Sequence, residues 1–221
     1  LRGTPLAVEF LALDPNLLDG LKVDLHVSKA TYARLFAVDI LQARFDRLIY
    51  LDSDFVVLRD IGELWEMPLQ GHPIAAVQDA LAGLAGATMG MLHNDFWEIP
   101  DECPCFNAGL MVIDVNCWIA ERAGQKALAL IRDNPDKIRW WDQDALNITF
   151  AGNFLQIDPV WNVQPHAFMR PTADHAVWSL EIISRCKAAP RAIHFAGAVK
   201  PWQDNGLAWG AEHFMRYLYR T

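Results

Sequence analysis

Two aspartates, Asp52 and Asp54, stand directly behind the apolar run Leu48-Ile49-Tyr50-Leu51. Four such residues in a row read as a strand covered on both faces, because a strand with one wet face alternates. Residues i and i+2 of an extended chain point to one side, so both carboxylates aim at one spot. Like charges that close resist joint ionisation. A divalent cation that favours hard oxygen ligands, magnesium or manganese, removes the conflict. Open α/β sheets bind ligands beyond the carboxyl ends of their strands, and the pair falls there. The plainer reading is that Asp52 opens the turn after the strand. A second pair with the same spacing, Asp142-Gln143-Asp144, shows how common the pattern is.

Other residues could join this chemistry. His194 ends the apolar run Ala192-Ile193-His194, as the Asp pair ends its own run, and imidazole is the commonest nitrogen ligand for a transition metal. A lone His beside a strand is more often a structural residue. Gly197 permits close backbone approach, and Lys200 is a compact point charge suited to phosphate. A surface Lys ahead of a Pro turn is the alternative. Asp79 follows the apolar stretch 74–77 as Asp52 follows its strand. Arg34 lies off the apolar face of its helix, where a solvated Arg is the commoner case. Nine Trp and four Tyr favour a glycan ligand weakly, since most Trp is used in cores. Trp140, Trp141 and Trp202 flank the polar motifs and are the better stacking candidates.

The elements that must carry these groups are legible in outline. Residues 6–13 read as a first strand, broken by Asp14-Pro15-Asn16. Ser28 is a good N-cap for a helix to about residue 43, with Tyr32, Leu35, Phe36 and Ile40 on one face. After the strand at 47–51 come a helical turn at 60–64 and a strand at 74–77. Residues 80–104 are irregular, and a loop that long inside a domain suits a lid. Phe106-Asn107-Ala108-Gly109 leads into a strand at 110–113. A helix at 118–133 follows, then one opened by Asp142, a short strand at 154–157, and a final helix at 211–219. Neither a repeat nor a linker interrupts this pattern, so one α/β domain over 1–221 is expected. At 52% hydrophobic and 21% charged residues the chain is ordinary globular protein. A net charge of −8 argues against a nucleic-acid partner. The four cysteines lack zinc-ligand spacing and read as free thiols in a reducing compartment.

The set Thr31-Tyr32-Ala33-Arg34-Leu35, Leu48 through Asp54, Phe106-Asn107-Ala108-Gly109, Asp142-Gln143-Asp144-Ala145-Leu146-Asn147, and His194 through Trp202 resembles the retaining glycosyltransferase family 8. Its ending Trp209-Gly210-Ala211-Glu212 is similar to the bacterial lipopolysaccharide galactosyl- and glucosyltransferase branch. Each motif alone is modest, and five in order are specific. The resemblance implies a GT-A fold with a mixed, mainly parallel sheet flanked by helices, a UDP-galactose or UDP-glucose donor, a glycan acceptor, and Mn2+ or Mg2+. It implies that Asp52, Asp54 and His194 hold the metal, and that Lys200 and Gly197 meet the diphosphate. Arg34, Asp52, Asp79, Asn107 and Asp142 would contact the donor. Gln143 would sit near the anomeric carbon, with Asp142 beside it. It also implies a cytoplasmic enzyme at the inner face of the membrane, with peripheral membrane association. A glycogenin-like enzyme that glucosylates its own Tyr217 or Tyr219 is one rival, and an inactive nucleotide- or glycan-binding module is another. The family's opening strand–helix–strand unit finds no counterpart before residue 6. That predicts an N-terminally incomplete domain with weak UDP binding, little or no transfer by residues 1–221 alone, and a tendency to self-associate through an open strand edge.

Overall fold

The computed structural model describes residues 7–23, 27–169, 177–203 and 208–219. Its strands are β1 (Arg47–Leu51), β2 (Phe55–Val57), β3 (Ile74–Gln78), β4 (Phe106–Asp114), β5 (Leu155–Gln156) and β6 (Ala192–His194). Its helices are α1 (Ala33–Leu41), α2 (Gly62–Trp65), α3 (Val115–Glu121), α4 (Ala123–Asp133), α5 (Trp141–Phe150), α6 (Leu180–Ala188) and α7 (Ala211–Leu218). The main sheet has the order β1-β4-β3-β5, and β2 pairs with β6 apart from it.

The central strand β4 is buried along its whole length except at Asp114. Its side chains divide between two cores. Met111 and Ile113, with Ile74 and Ala76 of β3, pack under α1, α3, α4 and α5. Leu110 and Val112, with Ala75 and Val77, face the β2–β6 pair, Trp161 and α6. Burial on both faces explains the unbroken apolar runs in the sequence.

The mixed sheet flanked by helices is as expected, but it is not mainly parallel among the described strands. β1 and β3 each pair antiparallel with β4, and only β3–β5 is parallel. Two-sided burial removes alternation whatever the strand direction, so direction was not readable from the pattern. The antiparallel course matters for function. It brings the start of β4, at Asn107, to the same sheet edge as the ends of β1 and β3, where Asp52 and Asp79 follow. In the small pair, Phe55 stands opposite His194, which sets the imidazole beside Asp54.

Several local expectations are corrected. Residues 7–13 form no strand and lie mostly exposed, because no neighbouring strand pairs with them; Leu6 lies outside the described residues. Ser28 precedes a 3-10 turn, Lys29–Tyr32, before α1 begins, and its side chain makes no capping bond. The 118–133 helix is two helices, broken at Arg122, whose φ is +55°. Helix α6, capped by Ser179 at the Ile182 N–H, was not foreseen. Trp140 is the N-cap of α5, and Asp142 stands in its first turn as read. Residues 80–104 are irregular as read, yet they pack rather than hang as a free flap. Ala85, Met91, Ile99 and Cys105 make a small third core. Trp140 Nε1 donates to the Met89 carbonyl at 2.7 Å, and Arg139 Nη1 to that of Thr88 at 2.8 Å. All four cysteines are free.

Candidate active site

Asp52, Asp54 and His194 converge, with one ligand atom from each lying within 4.8 Å of the others. His194 Nε2 is 3.2 Å from Asp54 Oδ1 and 3.7 Å from Asp52 Oδ2. The His194 ring is buried, stacked on Phe55 with centroids 4.3 Å apart. On its other side a Cβ at position 109 would come within 2.3 Å of His194 Cε1, so only glycine leaves room for the ring. Nδ1 lies 3.1 Å from Asn107 Oδ1 and 3.1 Å from Asn162 Oδ1. Two carbonyl oxygens call for a hydrogen on Nδ1, and Nε2 faces the carboxylates. Such an outer hydrogen bond is the usual mark of a ligating histidine. Two carboxylates and one imidazole suit manganese or magnesium. The residues fit a divalent ion.

Each carboxylate has its remaining oxygen anchored. Asp54 Oδ2 accepts from Lys200 Nζ at 2.5 Å, and that ammonium also donates to the Phe195 carbonyl at 2.7 Å. Burial works against the Asp54 charge, but hydrogen bonds and charges from His194 and Lys200 outweigh it and hold the carboxyl well below the usual range. Asp52 Oδ1 accepts from Arg34 Nη2 at 2.8 Å and from the Tyr50 hydroxyl at 2.7 Å.

Arg34 is not a solvated surface residue. It is 7% exposed, and Nε lies 2.7 Å from Asp142 Oδ2 while Nη1 donates to the Ala108 carbonyl at 2.5 Å. Burial opposes its charge, and Asp142 and Asp52 more than offset that. Asp142 Oδ1 accepts from the Thr31 hydroxyl at 2.6 Å. Its carboxyl is still pushed upward by burial, with Arg34 and Thr31 working the other way.

Asp79 faces a ring of donors. Oδ1 accepts from the Leu81 and Ala82 N–H groups at 2.9 and 2.8 Å. Oδ2 accepts from Asn107 Nδ2 at 2.9 Å and Gln143 Nε2 at 3.2 Å. Gln143 Oε1 accepts the Ala108 N–H at 3.1 Å. One turn along α5, the Asn147 side chain bonds both the N–H and the carbonyl of Phe106, at 2.8 and 2.9 Å. This amide acts as a short strand and locks α5 to the start of β4, which fixes where Gln143 stands. The helix opens with Trp141 at φ +47°, a left-handed pose that costs energy in a non-glycine residue. Asp144 offsets part of that by accepting the Arg139 and Trp140 N–H groups at 2.8 and 2.9 Å.

All ten residues singled out in the sequence, Arg34, Asp52, Asp54, Asp79, Asn107, Asp142, Gln143, His194, Gly197 and Lys200, line one cavity of about 1350 Å³. This exceeds the ~300–1,000 Å³ of a usual small-molecule site, so there is room for two ligands. Gly197 has φ +90°, which glycine adopts freely. Trp140, Trp141 and Trp202 line the same cavity. Sequence reasoning missed Tyr50, Asn162 and His166. Tyr50 had a signal, since it lies two residues before Asp52 on the same side of β1. Asn162 and His166 had none. His166 lines the cavity, and burial pushes its pKa down while Asp79 works the other way. Among the described residues, no helix is long and apolar enough to cross a membrane.

A mixed sheet with paired carboxylates and an imidazole at its strand ends, opening on a cavity for two ligands, defines a glycosyltransferase of the GT-A type. The chain belongs to glycosyltransferase family 8, whose profile matches residues 18–206. It is 29% identical over 224 residues to general stress protein A of Bacillus subtilis, covering 99% of this chain and 74% of that protein. It is 27% identical to the lipopolysaccharide 1,3-galactosyltransferase of Salmonella typhimurium, covering 87% of this chain and 53% of the relative. Among solved structures, it superposes on galactosyltransferase LgtC bound to donor and acceptor sugar analogues. The TM-score is 0.82 at 25% identity, over 100% of this chain and 77% of that one.

Proposed function

We propose that residues 1–221 act as one GT-A domain that moves galactose or glucose from a UDP-sugar to a glycan acceptor, keeping the anomeric configuration. The observation that carries this reading is the meeting of Asp52, Asp54 and His194 in one cavity with Lys200 and Gln143. Mn2+ or Mg2+ held by Asp52, Asp54 and His194 supplies Lewis-acid stabilisation of the diphosphate leaving group. Lys200 adds a second positive charge beside that position, and Gly197 lets the backbone approach the phosphates. Arg34 keeps Asp52 in place. Gln143, held by Ala108 and Asp79, lines the same cavity, where the reacting sugar carbon would lie, and Asp142 beside it is tied to Arg34. The three tryptophans offer apolar faces for sugar rings.

Tyr217 donates its hydroxyl to the Val57 carbonyl at 3.0 Å, and neither it nor Tyr219 lines the cavity, which disfavours self-glucosylation. The test is hydrolysis of UDP-galactose and UDP-glucose, with and without Mn2+, together with calorimetric titration of UDP. Metal-dependent release of hexose from one donor, lost in Asp54→Ala, is expected. UDP binding without release would favour a binding module, and no UDP binding at all would refute the proposal.

A further inference from the structure

We infer that Lys187 makes the acceptor half of the cavity selective for a glycan that carries a negative charge, a phosphoryl or carboxylate group on the sugar that receives the hexose. The inference rests on the proposed sugar transfer and on the cavity holding two ligands. The cavity takes its walls from both faces of the sheet. Val27, Tyr50 and Trp140 pack on the first core. The helices on that side, α1 and α5, bring Arg34, Asp142 and Gln143, the groups assigned to the donor. Phe168, Ala208 and Trp209 pack on the second core and line the cavity as well. No donor role falls on this second wall, which leaves it for the acceptor.

Lys187, in the last turn of α6, reaches that wall and lines the cavity. Its Nζ stands 4.8 Å from the centre of the Phe168 ring. Phe168 in turn meets Trp209 edge to face, with centroids 4.7 Å apart. Among the described residues, the Lys and Arg side chains that line the cavity are Arg34, Lys187 and Lys200. Arg34 is tied to Asp52 and Asp142, and Lys200 to Asp54. Lys187 pairs with no carboxylate among the described residues, and its contact is the aromatic ring. An aromatic face attracts an ammonium without cancelling its charge. The lining therefore keeps one lysine charge unneutralised, in a chain whose net charge is −8. The helix dipole favours a cation at the end of α6, and Arg185 in the same turn already supplies one while pairing with Asp158. The dipole does not explain why Lys187 is turned to the cavity. An ammonium there meets an oxyanion as a point charge, and the Phe168–Trp209 pair offers apolar surface to the sugar ring that carries it.

The experiment titrates three probes that share one ring and differ only at carbon 6: methyl galactoside, its 6-phosphate and methyl galacturonoside. Ligand-observed NMR follows their binding to the protein with and without UDP and Mn2+. At least one anionic probe should bind about tenfold more tightly than the neutral one, the scale of a charged hydrogen bond, and added salt should narrow the gap. The stronger of the two names the group, phosphoryl or carboxylate. Lys187→Gln should erase the advantage, Lys187→Arg should keep it, and UDP affinity should be unchanged in both. Lys187 is exposed, so either variant should keep its fold, which circular dichroism checks. Equal affinity for all three probes, binding of none, or an advantage that survives Lys187→Gln overturns the inference. A matching fall in UDP affinity also overturns it, by moving Lys187 to the diphosphate. The titrations without UDP and Mn2+ score Lys187 even where UDP fails to bind, so failure of the proposed sugar transfer is read separately.

Discussion

Arg34 and Asp142 make a buried ion pair whose loss should be severe on one side and mild on both. Arg34 is 7% exposed and Asp142 3%. Arg34→Met keeps an apolar stem of similar reach but takes the cation from Asp142, to which the Thr31 hydroxyl still donates. It also removes from Asp52 a partner at 2.8 Å. Breaking one side of a buried pair costs about 3–5 kcal/mol, against a total of about 5–15 kcal/mol for an ordinary domain. The double variant Arg34→Met, Asp142→Leu removes both charges and should be more stable than the single one, despite the extra substitution. The pH dependence gives a second handle. Burial already pushes the Asp142 carboxyl up and Arg34 opposes it, so without Arg34 the folded-state value rises further. A group raised in the folded state adds stability that is fully present below its unfolded value of about 3.9 and is lost as pH rises through the folded one. The deficit of Arg34→Met should therefore be smallest in mild acid and grow toward neutrality. Urea unfolding of wild type, single and double variants at several pH values measures this. A single variant within about 1 kcal/mol of wild type at neutral pH would refute the reasoning, because surface substitutions behave that way. A double variant less stable than the single would do the same.

Three further outcomes are expected. Lys200→Ala should weaken UDP binding by about 1.5–3 kcal/mol, the worth of a charged hydrogen bond, and uridine binding much less; calorimetry showing equal losses would move Lys200 away from the diphosphate. Gln143→Ala should lower turnover far more than UDP affinity, the signature of an interaction made in the transition state, and unchanged turnover would leave it only the Ala108–Asp79 bridge. Burial pushes the Asp144 carboxyl up to about 6, so its contribution to stability is complete below about 3.9 and is lost as pH rises through that folded value. Asp144→Asn keeps an acceptor for the Arg139 and Trp140 N–H groups and should flatten the stability profile across that window. Parallel denaturation profiles for wild type and variant would contradict the assignment.

The site was more readable in the sequence than the scaffold. Asp52, Asp54, Asp79 and His194 each follow or end an apolar run, and a strand's end is where a sheet meets its ligand. Spacing put these residues at strand ends, and the resemblance to family 8 joined them into one site. Helix position alone read Arg34 as solvated because its side faces away from the apolar stripe of α1, while Asp52 and Asp142, which bury it, come from β1 and α5. Pairing across such separations leaves no local trace. Residues 7–13 carry strand-like residues without a partner strand, and propensity without pairing does not make a strand. The direction of β4 was hidden because an apolar run buried on both faces looks the same in either sense. The break at Arg122 lies in a single backbone torsion that no side-chain pattern reports.

The notch at Gly109 has a consequence for comparing relatives. Even an alanine methyl there would collide with the imidazole of His194, although the strand around it would pair unchanged. A substitution at this one position would spare the architecture and displace the proposed metal ligand. A homologue carrying any side chain there has kept the shelf and lost the hook, and position 109 becomes a quick reading of whether an inherited scaffold still works as a catalyst.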